Sequence, residues 1–137
     1  MDKTLSDISK KMQKLDICMM TTKTKVGQLT SRPMSNNGDV EYNGNSYFFS
    51  YDGARSIKDI SENPSVNLNF TGPNNLYISI VATAKLIHSK AVMEEHWLKE
   101  LEQWFKDGLD TKGIVMIHVK AKRIKYWHNE DEGEVKV

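Results

Sequence analysis

Cysteine is almost missing from the chain: Cys18 is the only one, which rules out an internal disulfide, and its neighbours Ile17 and Met19 mark it as a strand thiol and not a nucleophile. Long apolar runs are missing too. None approaches the roughly 20 residues that span a bilayer, and the N-terminus lacks the basic and apolar regions of a signal peptide, so a soluble, cytoplasmic protein with no membrane partner is expected. Neither sign of charge dominates. With 19 basic against 18 acidic residues and a formal net charge of +1, no field gathers nucleic acid, and none is expected as a partner. The histidines His88, His96, His118 and His128 are scattered, with neither metal-ligand spacing nor companion cysteines, so no metal and no catalytic triad is expected. Walker, Gly-x-Gly-x-x-Gly and Gly-x-Ser-x-Gly motifs are all absent, which argues against nucleotide triphosphate hydrolysis, Rossmann binding and serine hydrolysis.

What is present centres on Tyr47 to Phe70. Ser46-Tyr47-Phe48-Phe49-Ser50-Tyr51 has the aromatic density of a strand, and Asp52-Gly53 breaks it. Ser56 stands three residues before Asp59, the spacing of a capping box, and predicts a helix that Asn63-Pro64 stops. Val66 to Phe70 then alternates apolar and polar as a half-buried strand does. The turn Gly53-Ala54-Arg55-Ser56 thus sets helix N-terminal amides beside a guanidinium, a pairing suited to phosphate; the simpler reading is a solvated charge and a helix cap.

Before this stretch, Leu5, Ile8, Met12 and Leu15 predict a short amphipathic helix capped by Thr4 or Ser6. Ile17 to Thr22 and Gln28 to Met34 predict a hairpin, with Pro33 placing the second strand at an edge or bulge and interrupting its pairing near Arg32 and Met34. Asn36-Asn37-Gly38 predicts a loop, and Asn43-Gly44 a hairpin turn between Val40-Glu41-Tyr42 and the aromatic strand. After it, Leu76 to His88 predicts a long central strand. Met93, Trp97, Leu101 and Trp104 share one helical face and predict a helix that Gly108 ends; on it the tryptophans are most simply packing anchors. Ile114 to Val119 and Arg123 to Trp127 predict two further strands, and residues 129–137 an acidic tail without the apolar content to be ordered by itself. The pattern is mainly β with appended helices: one antiparallel barrel or strongly bent sheet over residues 1–128, with a flexible tail at 129–137.

Ser31-Arg32-Pro33-Met34, then Tyr47-Phe48-Phe49-Ser50, Arg55 and Glu62-Asn63-Pro64-Ser65-Val66, together resemble the FMN-binding split barrels related to pyridoxamine 5′-phosphate oxidase. Trp97, Trp104-Phe105-Lys106-Asp107-Gly108 and Tyr126-Trp127 match the general stress protein 26 branch, so the likeness runs from Ile17 to Trp127. The resemblance implies a six-stranded antiparallel split β-barrel that forms a homodimer, with one FMN in each of two clefts between subunits. It implies that Arg32, Pro33 and Met34 lie along the flavin, that Phe49 and Ser50 meet its ring and ribityl side, that Arg55 and Ser56 hold its phosphate, and that Trp104 approaches the partner's flavin. Read from the residues alone, Arg32 equally serves to blunt a sheet edge.

Three positions depart from the family pattern. Ala54 and Ser56 stand where relatives often carry Ser and Lys, and Ala82 stands where Gly is common. The oxidases' Lys after the Arg-containing strand and their Arg-rich end are also absent here: Asn36, Asn37 and an acidic tail replace them. The resemblance therefore implies flavin redox chemistry on an unknown small molecule and not pyridoxamine 5′-phosphate oxidation. The alternatives are a non-catalytic, stress-related protein that binds flavin, haem or another ligand, and a barrel without cofactor used for association.

Overall fold

Thr4 opens the fold as a helix cap. In the computed structural model, which describes residues 4–36 and 41–137, its hydroxyl accepts from the Asp7 amide while the Asp7 carboxylate accepts from the Thr4 amide, a reciprocal box that starts α1 (Leu5–Met12). Ile8 and Met12 enter the core from its inner face.

The strands follow the alternation of the sequence. β1 (Ile17–Lys23) and β2 (Leu29–Ser35) form the expected hairpin, closed by Gly27 at a φ of +88°, a conformation that glycine adopts without strain. Pro33 sits on an edge strand, as expected, but the pairing does not break there: the register runs from Ile17 opposite Ser35 to Lys23 opposite Leu29, with Pro33 opposite Met19. An edge strand has amides on its outer side with no ladder partner, which is where a proline is tolerated. β3 (Asn45–Tyr51), α2 (Arg55–Glu62), β4 (Ser65–Gly72) and β5 (Leu76–Ile87) follow in the predicted order. The hairpin expected between Val40-Glu41-Tyr42 and β3 is not formed by Glu41 and Tyr42, which are not in a strand; Val40, like Asn37 and Gly38 of the expected loop, lies outside the described residues.

Two predicted strands are one. β6 (Ile114–His128) runs unbroken through Lys120–Lys122, where a bulge carries it past β5: Val81 faces Arg123 while Ala82 faces Ala121. The acidic tail is likewise structured, since residues 131–136 form β7 (Asp131–Lys136) on β6, across a two-residue turn in which Asn129 has a φ of +56°. β3 and β7 share one edge of β6 in succession, β3 against residues 114–120 and β7 against 123–128. They meet at Gly44, whose φ is +96° and where an added Cβ would come within 3.3 Å of Val137.

Six strands thus form the path β2-β1-β4-β5-β6-β3, with β7 branching from β6. β2 and β3 are its unpaired ends, so the sheet curls without closing and leaves a split. Met20, Phe48, Leu68, Phe70, Ile80, Ile117 and Ile124 fill the interior, and burying such side chains is worth about 1.5–3 kcal/mol each. Cys18 is buried among them, and its burial pushes the thiol pKa up to about 12, consistent with an inert side chain.

Candidate functional site

At the end of β3 the chain turns sharply: the Ala54 amide donates to the Tyr51 carbonyl at 2.9 Å, and the Asp52 amide to the Gly113 carbonyl at 2.8 Å. α2 then starts two residues earlier than the capping box implied, at Arg55 and not Ile57. Ala54 is the N-cap, in extended geometry and with no side-chain cap, so Ser56 lies inside the helix, is buried and does not cap it. The Ile57 and Lys58 amides reach the Ala54 carbonyl, whereas those of Arg55 and Ser56 have no partner among the described residues. Arg55 is exposed, and its guanidinium forms no ion pair there.

Arg32 is employed differently. Its guanidinium donates to Thr22 Oγ1 and Thr30 Oγ1, each at 2.8 Å, and to the Met20 carbonyl at 3.2 Å, and lies 3.8 Å from Asp59 Oδ2. The Thr22 hydroxyl in turn donates to Asp59 at 2.8 Å. Burial lowers the Arg32 pKa, and the Asp59 carboxylate opposes that shift. The structure therefore ties this cation to a buried carboxylate of α2. Of its neighbours, Pro33 is exposed on the edge, and Met34 packs against the core.

β3 carries the aromatic face. Tyr47, Phe49 and Tyr51 alternate with the inward-facing Ser46, Phe48 and Ser50, so Phe49 and Ser50 project to opposite faces of the strand. Tyr47 stacks between His96, with ring centroids 3.5 Å apart, and His118 at 4.8 Å. Phe49 meets Trp97 edge-on at 5.0 Å, and Tyr51 lies 4.9 Å from Phe105 while its hydroxyl donates to the Trp104 carbonyl.

These contacts correct the helix expected from Met93 to Trp104. α3 (Lys90–His96) ends as Trp97 turns extended, with ψ at 134°, and a 3-10 turn (Lys99–Gln103) follows. Trp97 leaves the helical course to pack on Phe49 and Phe105, while Trp104 is 52% exposed near the β3–α2 end.

A cavity of about 360 Å³ lies in the split itself, between Ser35 and Asn36 at the end of β2 and the first half of β3, under His96 and Trp97. Of the eight residues the resemblance placed at the flavin, only Phe49 lines it. Arg55 and Ser56 are together at the head of α2, and Arg32 is drawn to Asp59 further along that helix. The sequence reading missed Asp59, Tyr47, His96 and His118 as site residues. The aromatic alternation with Phe49 and Tyr51 marks Tyr47, whereas His118 joins it only through the β3–β6 register, which sets Tyr47 opposite His118. Among the described residues no cluster of three potential metal ligands occurs, and no helix is long and apolar enough to cross a membrane.

An antiparallel sheet of this path, open between β2 and β3, defines a split barrel with appended helices. The chain belongs to the pyridoxamine 5′-phosphate oxidase like family, which matches residues 3–137. No curated protein matches the sequence. Among solved structures, a Clostridium acetobutylicum protein related to general stress protein 26 superposes with a TM-score of 0.79 at 17% identity, covering 96% of this chain and 92% of that one. A Nostoc punctiforme FMN-binding protein related to pyridoxamine 5′-phosphate oxidase gives 0.69 at 9% identity, with 95% and 83% covered. A heme-binding protein from Mycobacterium smegmatis gives 0.76 at 8% identity, with 99% of this chain but 59% of that one covered.

Proposed function

We propose that the protein binds FMN and carries out flavin redox chemistry on a small molecule, as a homodimer. The observation that carries this reading is the head of α2, where two partnerless amides and the exposed Arg55 stand at the end of an aromatic strand. A phosphate dianion fits such a group: the amides donate to no other partner among the described residues, the helix dipole favours negative charge there, and the guanidinium adds a charge-assisted contact. The unpaired edge of β3 and the exposed Trp104 flank the same end. Bound FMN would supply one- and two-electron transfer, and the chain would supply its orientation and its exclusion from water.

Met19, Tyr77 and Trp127 are exposed apolar side chains of the sheet, and covering them in a second copy is the support for the dimer. Sedimentation with and without FMN tests this; a monomer that binds flavin at full affinity would defeat it. The decisive experiment for the function is a visible-spectrum titration with FMN and with riboflavin, followed by a search for substrates that bleach the bound flavin. Tight FMN binding without any reducing substrate would favour a second reading, a non-catalytic ligand-binding protein, for which the heme-binding relative of the same fold is the support.

A further inference from the structure

A cavity of about 440 Å³ lies at the end of β6 away from the turn into α2. The last turn of α1 forms one wall, and Tyr126 and His128 of β6 with the turn after β4 form the others. Lysines in the last turn of a helix ordinarily answer the partial negative charge of its carbonyls and keep their ammonium groups in water. Lys11 does otherwise. It is half-buried, its ammonium lies 4.6 Å from the centre of the Tyr126 ring, and it donates to His128 Nδ1 at 2.9 Å. An ammonium has no lone pair with which to accept, so Nδ1 is the acceptor and the ring hydrogen of a neutral His128 is on Nε2.

Lys11 is therefore a charge held in place by neutral groups. Neither it nor Lys10, which lines the same cavity, has a carboxylate within ion-pair distance among the described residues. The two carboxylates of the lining are engaged: Asp7 accepts from the amide and hydroxyl of Thr4 at the α1 cap, and Asp131 from the buried Tyr126 at 3.0 Å. Two lysines and two aspartates leave the lining balanced in charge. One negative charge finds its match at Lys11, whereas a dianion brings a second that meets only carboxylates already satisfied.

The remaining wall is largely apolar, with the exposed Gln13 and Asn74 completing it. Leu15 and Leu76 meet over Gly72, where an added Cβ would lie 3.1 Å from one and 3.0 Å from the other, and Pro73 follows in the chain. A cation fixed beside an apolar wall suits a ligand with an anionic head and a short hydrocarbon body, and the volume lies towards the lower end of ligand pockets, about 300 to 1,000 Å³.

We propose that this cavity binds a small monocarboxylate, its carboxylate on Lys11 beside His128 and its apolar body against Leu15 and Leu76. The site shares no residue with the head of α2 or with the cavity in the split, so it does not depend on the flavin reading.

Three probes with one hydrocarbon end test it: 4-methylpentanoate, 4-methylpentanamide and 3-methylbutyl phosphate. Each is titrated into the full chain at mildly alkaline pH, where the phosphate is a dianion, and followed by the NMR signals of Lys11 and His128. The carboxylate should bind about tenfold more tightly than the amide, the worth of one charge-assisted contact, and more tightly than the phosphate. Lys11→Gln should abolish the preference for acid over amide, Lys11→Arg should keep it, and FMN titration should be unchanged in both. Pro73→Glu, an exposed substitution that adds a carboxylate to the lining, should weaken the acid more than the amide. Equal binding of acid and amide, tighter binding of the phosphate, a preference that survives in Lys11→Gln, or an acid affinity untouched by Pro73→Glu would overturn the site. Absence of FMN binding with the probe pattern intact would overturn the flavin reading alone.

Discussion

Asp59, buried in the middle of α2, lies 3.8 Å from the guanidinium of Arg32 on β2 and so joins the helix to the edge strand of the barrel. Thr22 completes the link, accepting from Arg32 and donating to Asp59, each at 2.8 Å. The partners are unequally buried, with side chains 22% and 5% exposed. Removing Arg32 therefore strands a buried carboxylate, whereas removing both charges does not. Arg32→Ala should destabilise the fold by an amount towards the lower end of about 3–5 kcal/mol, since the arginine is partly in water. The double variant Arg32→Ala, Asp59→Ala should recover part of that loss, and urea unfolding of the three proteins would measure the coupling. Strictly additive losses would show that the pair acts as two independent side chains.

Arg55 has the opposite character, exposed and without an ion-pair partner among the described residues. Arg55→Ala should leave stability nearly unchanged and weaken FMN by about 1.5–3 kcal/mol, the range of a hydrogen bond to a charged group. Riboflavin, which lacks the phosphate, should lose far less. Parallel titrations of the two flavins decide the matter: equal losses would remove Arg55 from the phosphate site.

The strands were largely legible because alternation survives wherever one face of a sheet is buried, as in the inward-facing Leu76, Ile78, Ile80 and Ala82 of β5. The segment after Ser89 misled for a physical reason. Met93, Trp97, Leu101 and Trp104 have helical spacing, yet Trp97 is better buried on Phe49 and Phe105 than along a helix, so tertiary packing overrides the period. Residues 131–136 misled differently. Their acidic side chains supply no core, and β7 exists because the upper edge of β6 was left open by the short β3 and because Val135 is buried there. Asn129 at a two-residue turn was the available sign. The place of Arg55 at the head of α2 was legible from the strand-turn-helix order, but the engagement of Arg32 was not, since its partner Asp59 is distant in sequence.

His118 gives the fold an acid-sensitive contact. Its ring stacks on Tyr47, and its Nε2 hydrogen donates to Asn45 Oδ1 at 2.8 Å. Burial lowers its pKa from the ordinary 6.5, and His96, Lys120 and Lys85 add to the shift. The neutral ring is thus the form that the fold favours. The resulting stability is fully present above the unfolded value and is lost as pH falls through it towards the folded value. His118→Gln, which keeps a donor for Asn45, should flatten the dependence of the urea midpoint on pH between pH 7 and acid. An unchanged slope would place the acid sensitivity elsewhere.

The last prediction concerns the reaction for which the family is called: flavin-loaded protein should fail to oxidise pyridoxamine 5′-phosphate at a useful rate. A substrate phosphate bound beside the flavin phosphate needs cations of its own, because two dianions do not share one set of donors. The structure is short of them. Arg32 is matched by Asp59, and the cavity in the split is lined by Glu41 and Glu95 with no lysine or arginine among the described residues. The acidic end of the chain, which stands in place of the oxidases' Arg-rich end, pairs with β6 at the end away from the turn into α2. Asp131 faces His128 at one end of β6, while Tyr51, next to the turn into α2, faces Ile114 at the other. What disfavours the substrate is instead that the cavity beside β3 offers carboxylates and neither lysine nor arginine among the described residues. An assay that follows pyridoxal 5′-phosphate formation should read no more than a trace above free flavin. Turnover of about 1 per second or faster, ordinary for an enzyme, would mean that a second anion pocket forms where neither β3 nor the split supplies one.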